Sequence, residues 1–313
     1  MPQLDYTVVD VFSDSALAGN PLAVVSNTAG LSPEQMQAIA REFNLSETSF
    51  VERRAAAVEA AEGVRVRIFT TQEELQFAGH PTLGTASVLK LSAPETFRGG
   101  VVTLAENVGP IAVKFTEEDG LFGEMTQRDP EFGPELDRAE VARLCGLAED
   151  DLDPAARPQV VSTGAAFAIV VLRSLESLGQ FRVHEEESTK WLRARGARWF
   201  YVLAPVDKVE ATDPDFRARM QFNGGEDPAT GSAAGCAIGY LVSRGIVASD
   251  RVIHVRQGVE IRRPSELYLV ARSTPLHENA ARGLSERSKS VTVTDVRVGG
   301  RTVIVAKGQL FLP

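Results

Sequence analysis

One seven-residue pattern occurs twice in this chain of 313 residues. His80-Pro81-Thr82-Leu83-Gly84-Thr85-Ala86 and Asp227-Pro228-Ala229-Thr230-Gly231-Ser232-Ala233 both read as a polar or ionisable residue, Pro, a small residue, any residue, Gly, Thr or Ser, then Ala. The copies are in register across an offset of 147 residues (227 minus 80). Each runs on into an apolar stretch, Ser87-Val88-Leu89 in one and Cys236-Ala237-Ile238-Gly239-Tyr240-Leu241 in the other. Pro suits the first turn of a helix, where its missing N–H costs nothing. Gly lets the backbone approach a ligand closely. Thr or Ser brings a hydroxyl near the first-turn amides, which lack intrahelical partners and sit at the positive end of the helix dipole, a ready anion site. Either copy alone fits a plain turn that starts a buried helix. The repetition, with an ionisable residue leading each copy, favours two helix starts converging on one anionic ligand with His80 and Asp227 at its rim.

The bulk numbers leave room for that and close other routes. The length accommodates two domains. Hydrophobic content of 43% and charged content of 24% are those of an ordinary globular protein. Net charge is −9 and the basic residues form no long run, which argues against nucleic acid as the main partner. Local donors still permit a small anionic ligand. The two cysteines, Cys145 and Cys236, form no CxxC pair, so neither a zinc site nor a disulfide framework is expected. Met1-Pro2-Gln3-Leu4-Asp5 has no signal-peptide character, and no apolar run reaches ~18 residues. A cytoplasmic protein without a membrane partner is expected.

Along the chain, Leu4 to Phe12 reads as a buried strand, Gly19-Asn20-Pro21 as a turn and Leu22 to Val25 as a second strand. Ser32-Pro33-Glu34-Gln35 opens a helix with a capping box, and Met36, Ile39, Ala40 and Phe43 form its apolar face. Glu47 follows, among small polar residues in a loop before an apolar strand, where an arbitrary carboxylate is simply solvated. Val64 to Thr70 alternates, with Arg65 and Arg67 on the wet side, and Leu75-Gln76-Phe77 leads into the first motif. Short strands are expected at 101–105, 111–115 and 123–127. Asp129-Pro130-Glu131-Phe132-Gly133-Pro134 is the best linker candidate, dividing the chain into residues 1–128 and 129–313. Asp137 caps the next helix, and Cys145 is read as a core filler. The second half repeats the outline: strands at Phe167 to Leu172, Trp199 to Leu203 and Phe216 to Gln221, a helix at Ser188 to Arg195, and Asn223-Gly224-Gly225-Glu226 feeding the second motif. Strands follow at Val252 to Gln257 and Leu267 to Ala271, then a polar loop from Thr274 to Ser290, then a hairpin of Val291 to Val298 and Val303 to Leu312 through Gly299-Gly300. His184, beside Glu185, Glu186 and Glu187, reads as a solvated face, and His254 and His277 show no partner pattern. Strands and helices alternate too irregularly for a doubly wound sheet, and no GxGxxG or GxxxxGK[ST] supports a nucleotide site.

Four ordered motifs resemble one family. Val9-Asp10-Val11-Phe12 followed by Gly19-Asn20-Pro21-Leu22-Ala23-Val24, then Ser46-Glu47-Thr48-Ser49-Phe50-Val51, then Phe77-Ala78-Gly79-His80-Pro81-Thr82-Leu83-Gly84, then Glu226 to Ala233, match the signatures of the PhzF-like (phenazine biosynthesis-like) proteins in order. The resemblance spans nearly the whole chain. It implies an α+β fold similar to diaminopimelate epimerase: two pseudo-symmetric domains, each a curved, mostly antiparallel sheet wrapped round a central helix, with the active site in the cleft between them. The C-terminal strand is allowed to pair back with the first domain. The implied activity is isomerisation of a dihydro-hydroxyanthranilate, a proton moved within a small carboxylate without cofactor or metal. Glu47 would be the proton shuttle and His80 and Asp227 would position or polarise the substrate. Ser46, Gly79, Thr230, Gly231 and Ser232 would hold its polar groups, in a homodimer. Diaminopimelate epimerase uses two opposed thiols at its helix starts. Here His80 and Asp227 stand at approximately those places, which disfavours two-thiol racemisation. An amino- or hydroxy-acid epimerase or racemase, and a non-catalytic carboxylate-binding protein, are the competing expectations.

Overall fold

The computed structural model describes residues 3–97, 99–116, 121–222, 225–275 and 291–312. It is a mixed α+β, sheet-rich protein with few helices. The chain forms two compact units, residues 1–126 with 263–266 and 299–313, and residues 127–262 with 267–298.

The first unit begins with β1 (Gln3–Val11), β2 (Asn20–Val25), α1 (Pro33–Phe43) and β3 (Glu47–Glu52). It continues with α2 (Ala56–Glu62), β4 (Val64–Phe69), β5 (Glu74–Leu75), α3 (Gly79–Ser92), β6 (Val101–Glu106), β7 (Gly109–Thr116) and β8 (Phe122–Thr126). The capping box of α1 forms as the sequence predicts: Gln35 N donates to Ser32 Oγ at 3.3 Å and Ser32 N to Gln35 Oε1 at 2.9 Å. Met36, Ile39 and Ala40 are buried against Leu4, Val25, Phe50 and Phe69. Asn44 ends the helix in the left-handed region, which its short polar side chain tolerates, and the chain turns directly into β3.

The second unit contains β9 (Glu131–Glu135), α4 (Arg138–Leu144), β10 (Gln159–Ser162), β11 (Ala166–Val171), α5 (Leu175–Gln180), α6 (Glu185–Arg193) and β12 (Trp199–Pro205). Then come β13 (Phe216–Arg219), β14 (Gln221–Phe222), β15 (Gly225–Glu226), α7 (Gly231–Ser243), β16 (Ile253–Gln257), β17 (Ser265–Pro275) and β18 (Val291–Phe311). Its sheet runs β9-β10-β11-β12-β13-β16-β17-β18, with β11–β12 and β13–β16 parallel. The C-terminal part of β18 belongs to the first unit, where Gln3 to Val11 pair antiparallel with Phe311 to Thr302. With β8 also hydrogen-bonded to β18, the first unit's sheet closes on itself in the order β1-β2-β3-β4-β6-β7-β8-β18.

Four expectations are corrected. The proposed linker is largely strand β9, paired antiparallel with β10; its Pro and Gly sit on an edge strand, where a missing donor is tolerated. Glu47 is the first residue of β3 and lies beside Leu22 of β2, so it is not in a solvated loop. Gly299-Gly300 makes no hairpin: β18 passes straight through it. A Cβ at Gly299 would lie 2.7 Å from the Phe122 ring and 2.9 Å from Gly123 O, and one at Gly300 2.5 Å from Phe12, so these glycines permit close packing rather than a turn. The two motif copies also start their helices at different points. His80 and Pro81 are inside the first turn of α3, whereas Asp227 and Pro228 precede α7, which begins at Gly231. The polar loop expected over Thr274 to Ser290 lies, from 276 on, outside the described residues, as do His277 and Asn223-Gly224.

Helix α3 is buried without a break from Gly79 to Lys90 and packs against β1, β2, β3, β6, β7 and β8. Such a helix needs apolar or small residues all round rather than one greasy stripe. Gly84 shows why. A Cβ there would come within 2.6 Å of Val11 Cγ2 and 2.7 Å of Leu22 Cδ2, so the motif glycine serves the seating of α3 on β1 and β2. Helix α7, buried at Gly231 and from Ala233 to Val242, packs on β10 and β11. Gly84→Ala is expected to lower unfolding stability by about 1–3 kcal/mol through overpacking, read as a lower urea midpoint with unchanged slope.

Candidate active site

In the first unit the candidate residues come from three neighbouring elements. Gly19 holds a φ of 68°, and a Cβ there would lie 2.5 Å from Val11 O, so this turn admits only glycine. The turn delivers Asn20, which is fully buried, opposite Val11. Ser46 Oγ donates to Asn20 Oδ1 at 3.4 Å. Glu47 follows at the start of β3 with its side chain only 17% exposed. His80, the second residue of α3, is 5% exposed, and its Nε2 stands 3.6 Å from Glu47 Oε2. That is beyond hydrogen-bond distance. Burial pushes the imidazole down to about 3, so the pair is a neutral imidazole beside a carboxyl group rather than an ion pair. No hydrogen-bond partner for His80 Nε2 is present among the described residues. The structure therefore brings together Ser46, Glu47, Gly79 and His80 of the sequence-derived set.

In the second unit Asp227, Thr230, Gly231 and Ser232 cluster at the start of α7. Asp227 is 8% and Thr230 6% exposed. Asp227 N donates to Met220 O at 2.9 Å, and Thr230 Oγ1 donates to Asp227 Oδ2 at 2.7 Å. The residue before Asp227 is fixed by a buried fork: Arg219 Nε and Nη2 donate to Glu226 at 2.9 and 2.6 Å. Gly231 O accepts from Gln127 Nε2 at 2.9 Å, and Gln127 Oε1 accepts from Thr163 at 2.6 Å. Cys236 lies one turn further in, fully buried, with its thiol pushed up to about 11 mainly by burial. Cys145 is buried as well, and burial pushes its thiol up further. Both fit the role of core fillers.

Sequence reading missed Glu106 and Gln257. Neither stands in a motif; each is the last residue of a strand whose pattern says nothing of what lies beyond it. Glu106 lies under the first turn of α3. Thr82 Oγ1 is 2.7 Å from Ala78 O and 2.6 Å from Glu106 Oε1. One hydroxyl hydrogen cannot serve both contacts, so a protonated Glu106 supplies the second. Burial pushes this carboxyl up to about 8, and the Thr82 hydroxyl and the Arg65 charge, which pull the other way, are outweighed.

That shift makes a pH prediction. The ordinary value is 4.5 and the folded value about 8, so between them the folded protein holds the extra proton. Stability then falls as pH rises through this interval, by up to about 1.4 kcal/mol per pH unit, and levels off above it. Glu106→Gln is expected to remove this component, read by urea unfolding from about pH 5 to about pH 8.

Comparisons with known proteins agree with the four motifs. The family model described as "Phenazine biosynthesis-like protein" matches residues 9–308. An uncharacterized isomerase of Mesorhizobium japonicum is 33% identical over the full length of both chains. The trans-2,3-dihydro-3-hydroxyanthranilate isomerase of Pseudomonas aeruginosa is 33% identical, covering 98% of this chain and 99% of its own. Among solved structures, a predicted epimerase from Pseudomonas aeruginosa superposes with a TM-score of 0.77 at 31% identity over 99% of both chains. A hydroxyproline epimerase from Agrobacterium vitis, 12% identical with a TM-score of 0.62 over 98% of this chain and 92% of its own, shares the fold. No helix among the described residues is long and apolar enough to cross a membrane. The chain belongs to the phenazine biosynthesis-like (PhzF) family, which includes these isomerases.

Proposed function

We propose that the protein is an isomerase that moves a proton within a small ring carboxylate of the trans-2,3-dihydro-3-hydroxyanthranilate kind, using side chains and backbone amides alone. The observation that carries this is the buried His80 imidazole, with no hydrogen-bond partner for Nε2 among the described residues, set 3.6 Å from the Glu47 carboxyl. A buried polar nitrogen left without a partner is costly, and a bound substrate would supply one. Glu47 takes the proton from one ring carbon, the C–H electron pair spreads into the conjugated system, and the same carboxyl returns the proton to another carbon. The neutral imidazole does not compete for that proton. First-turn amides at Gly79 and Gly231, with the side chains of Ser46, Thr230 and Ser232, would hold the substrate's anionic and polar groups, and Asp227 would fix its orientation.

On this proposal the two units are pseudo-symmetric domains, each sheet wrapped round its buried helix, α3 in one and α7 in the other. The motif repeated in the sequence at or just before both helix starts supports that. A homodimer working in the cytoplasm on a small-molecule substrate completes the proposal. A second reading, epimerisation of an amino or hydroxy acid, is favoured by the likeness to the predicted epimerase at 31% identity. The two readings predict different products, a shifted double bond against an inverted centre.

Glu47→Gln is expected to cut kcat on trans-2,3-dihydro-3-hydroxyanthranilate by about 10²- to 10⁴-fold with KM nearly unchanged. Turnover in deuterated water, followed by NMR, should place solvent deuterium at a ring carbon of the product with wild-type protein and not with the variant. Undiminished turnover by Glu47→Gln would remove Glu47 from the role.

A further inference from the structure

Below Asp227 lies a buried polar chain whose every hydrogen can be placed. Gln257, the last residue of β16, is fully buried, as is Tyr201 of β12. The Gln257 amide has four neighbours within hydrogen-bond distance. Thr230 N and Tyr201 Oη approach Oε1, both at 3.1 Å, and Asp227 O and Thr230 Oγ1 approach Nε2 at 2.8 and 2.9 Å.

Two of these neighbours are backbone groups with no choice of role. Thr230 N–H only donates, so it must face the amide oxygen. Asp227 C=O only accepts, so it must face the amide nitrogen. The amide orientation follows, and so does the rest. The second N–H of Gln257 points to Thr230 Oγ1, which must accept it. The single hydroxyl hydrogen of Thr230 is then free only to donate, and its remaining partner is Asp227 Oδ2 at 2.7 Å. That oxygen therefore accepts. Tyr201 donates to the last lone pair of Gln257 Oε1. Both hydrogens and both lone pairs of the amide are used. A rotation of the amide would set oxygen against Asp227 O and N–H against Thr230 N–H.

We propose that Gln257 is a positioning residue for the reaction: through Thr230 it fixes the Asp227 carboxylate as a hydrogen-bond acceptor in one orientation towards the substrate. This rests on the role given to Asp227 above. The relay runs one way, from Gln257 N–H to Thr230 O–H to Asp227, because its direction is set by two backbone groups and not by side chains that could swap roles. Gln257 also clamps both ends of the Asp227-Pro228-Ala229-Thr230 segment, through Asp227 O and Thr230 N. Thr230 O accepts the first helical hydrogen bond of α7, from Ala234 N at 2.9 Å, and Asp227 N donates to Met220 O at 2.9 Å, so Gln257 ties the remaining backbone group at each end of the segment.

The test is a set of variants assayed on trans-2,3-dihydro-3-hydroxyanthranilate. Gln257→Leu and Thr230→Val are expected to lower kcat by about 10- to 100-fold, the scale of one charge-linked hydrogen bond, with a smaller change in KM. Thr230→Ser, which keeps the hydroxyl, should restore most of the rate. In an Asp227→Asn background, Gln257→Leu should cost little more, because its effect passes through Asp227. If Asp227→Asn alone leaves kcat unchanged, the assigned role of Asp227 fails. If Asp227→Asn lowers kcat while Gln257→Leu does not, or the two losses simply multiply, the positioning proposal fails by itself. A readout independent of turnover is the 13Cγ resonance of Asp227, assigned with Asp227→Asn. Gln257→Leu and Thr230→Val should each shift it, and an unmoved resonance in both folded variants would overturn the relay.

Discussion

Desolvation of one imidazole is the constraint on which the rest depends. His80 sits in the first turn of a helix buried from Gly79 to Lys90, and at 5% exposure its charged form is heavily penalised. It stays neutral beside a carboxyl group 3.6 Å away. A protonated imidazole at that distance would tie Glu47 into an ion pair and leave it a poor proton acceptor. A neutral one forms no ion pair with it and can itself hydrogen-bond a ligand. The same burial acts on Glu106 under the same helix turn, where the neutral acid is favoured and donates to Thr82. The first turn of α3 thus lies among groups kept uncharged by exclusion of water.

The architecture exists to make that exclusion possible. In the first unit the sheet closes on itself, and α3 packs against six of its strands. Close seating requires small residues at the contact, which Gly84 provides against Val11 and Leu22, and Gly299 and Gly300 provide on the returning strand. In the second unit α7 is held differently. Its start is tied by side chains, Gln127 to Gly231 and Gln257 to Thr230, rather than by tucking the ionisable residue into the helix itself. The two motif copies share a spelling and differ in where the helix begins.

What was legible in the sequence follows from this. The capped helix α1 announced itself through Ser32, Pro33 and Gln35, because a capping box is a local device. Most strands were legible from their apolar runs. The Glu47 and His80 pairing was not readable from spacing, since the residues are 33 apart (80 minus 47) and meet only because β3 and α3 pack together; the motif resemblance pointed to them. Two of the errors share one cause. Gly and Pro were read as turn signals at Gly299-Gly300 and over 129–134, where tertiary packing uses them for close approach and for an edge strand. Glu106 and Gln257 left no signal at all, because a polar residue ending a strand looks solvated until its partners are known.

The central claim is most directly tested by 15N NMR of the His80 ring, free and with substrate analogue, from about pH 5 to about pH 8. A neutral ring keeps one protonated and one bare nitrogen through the whole range, in line with a value pushed down to about 3. A ring that gains a second proton with a midpoint inside that range would show a charged imidazole beside the carboxyl group and contradict the account.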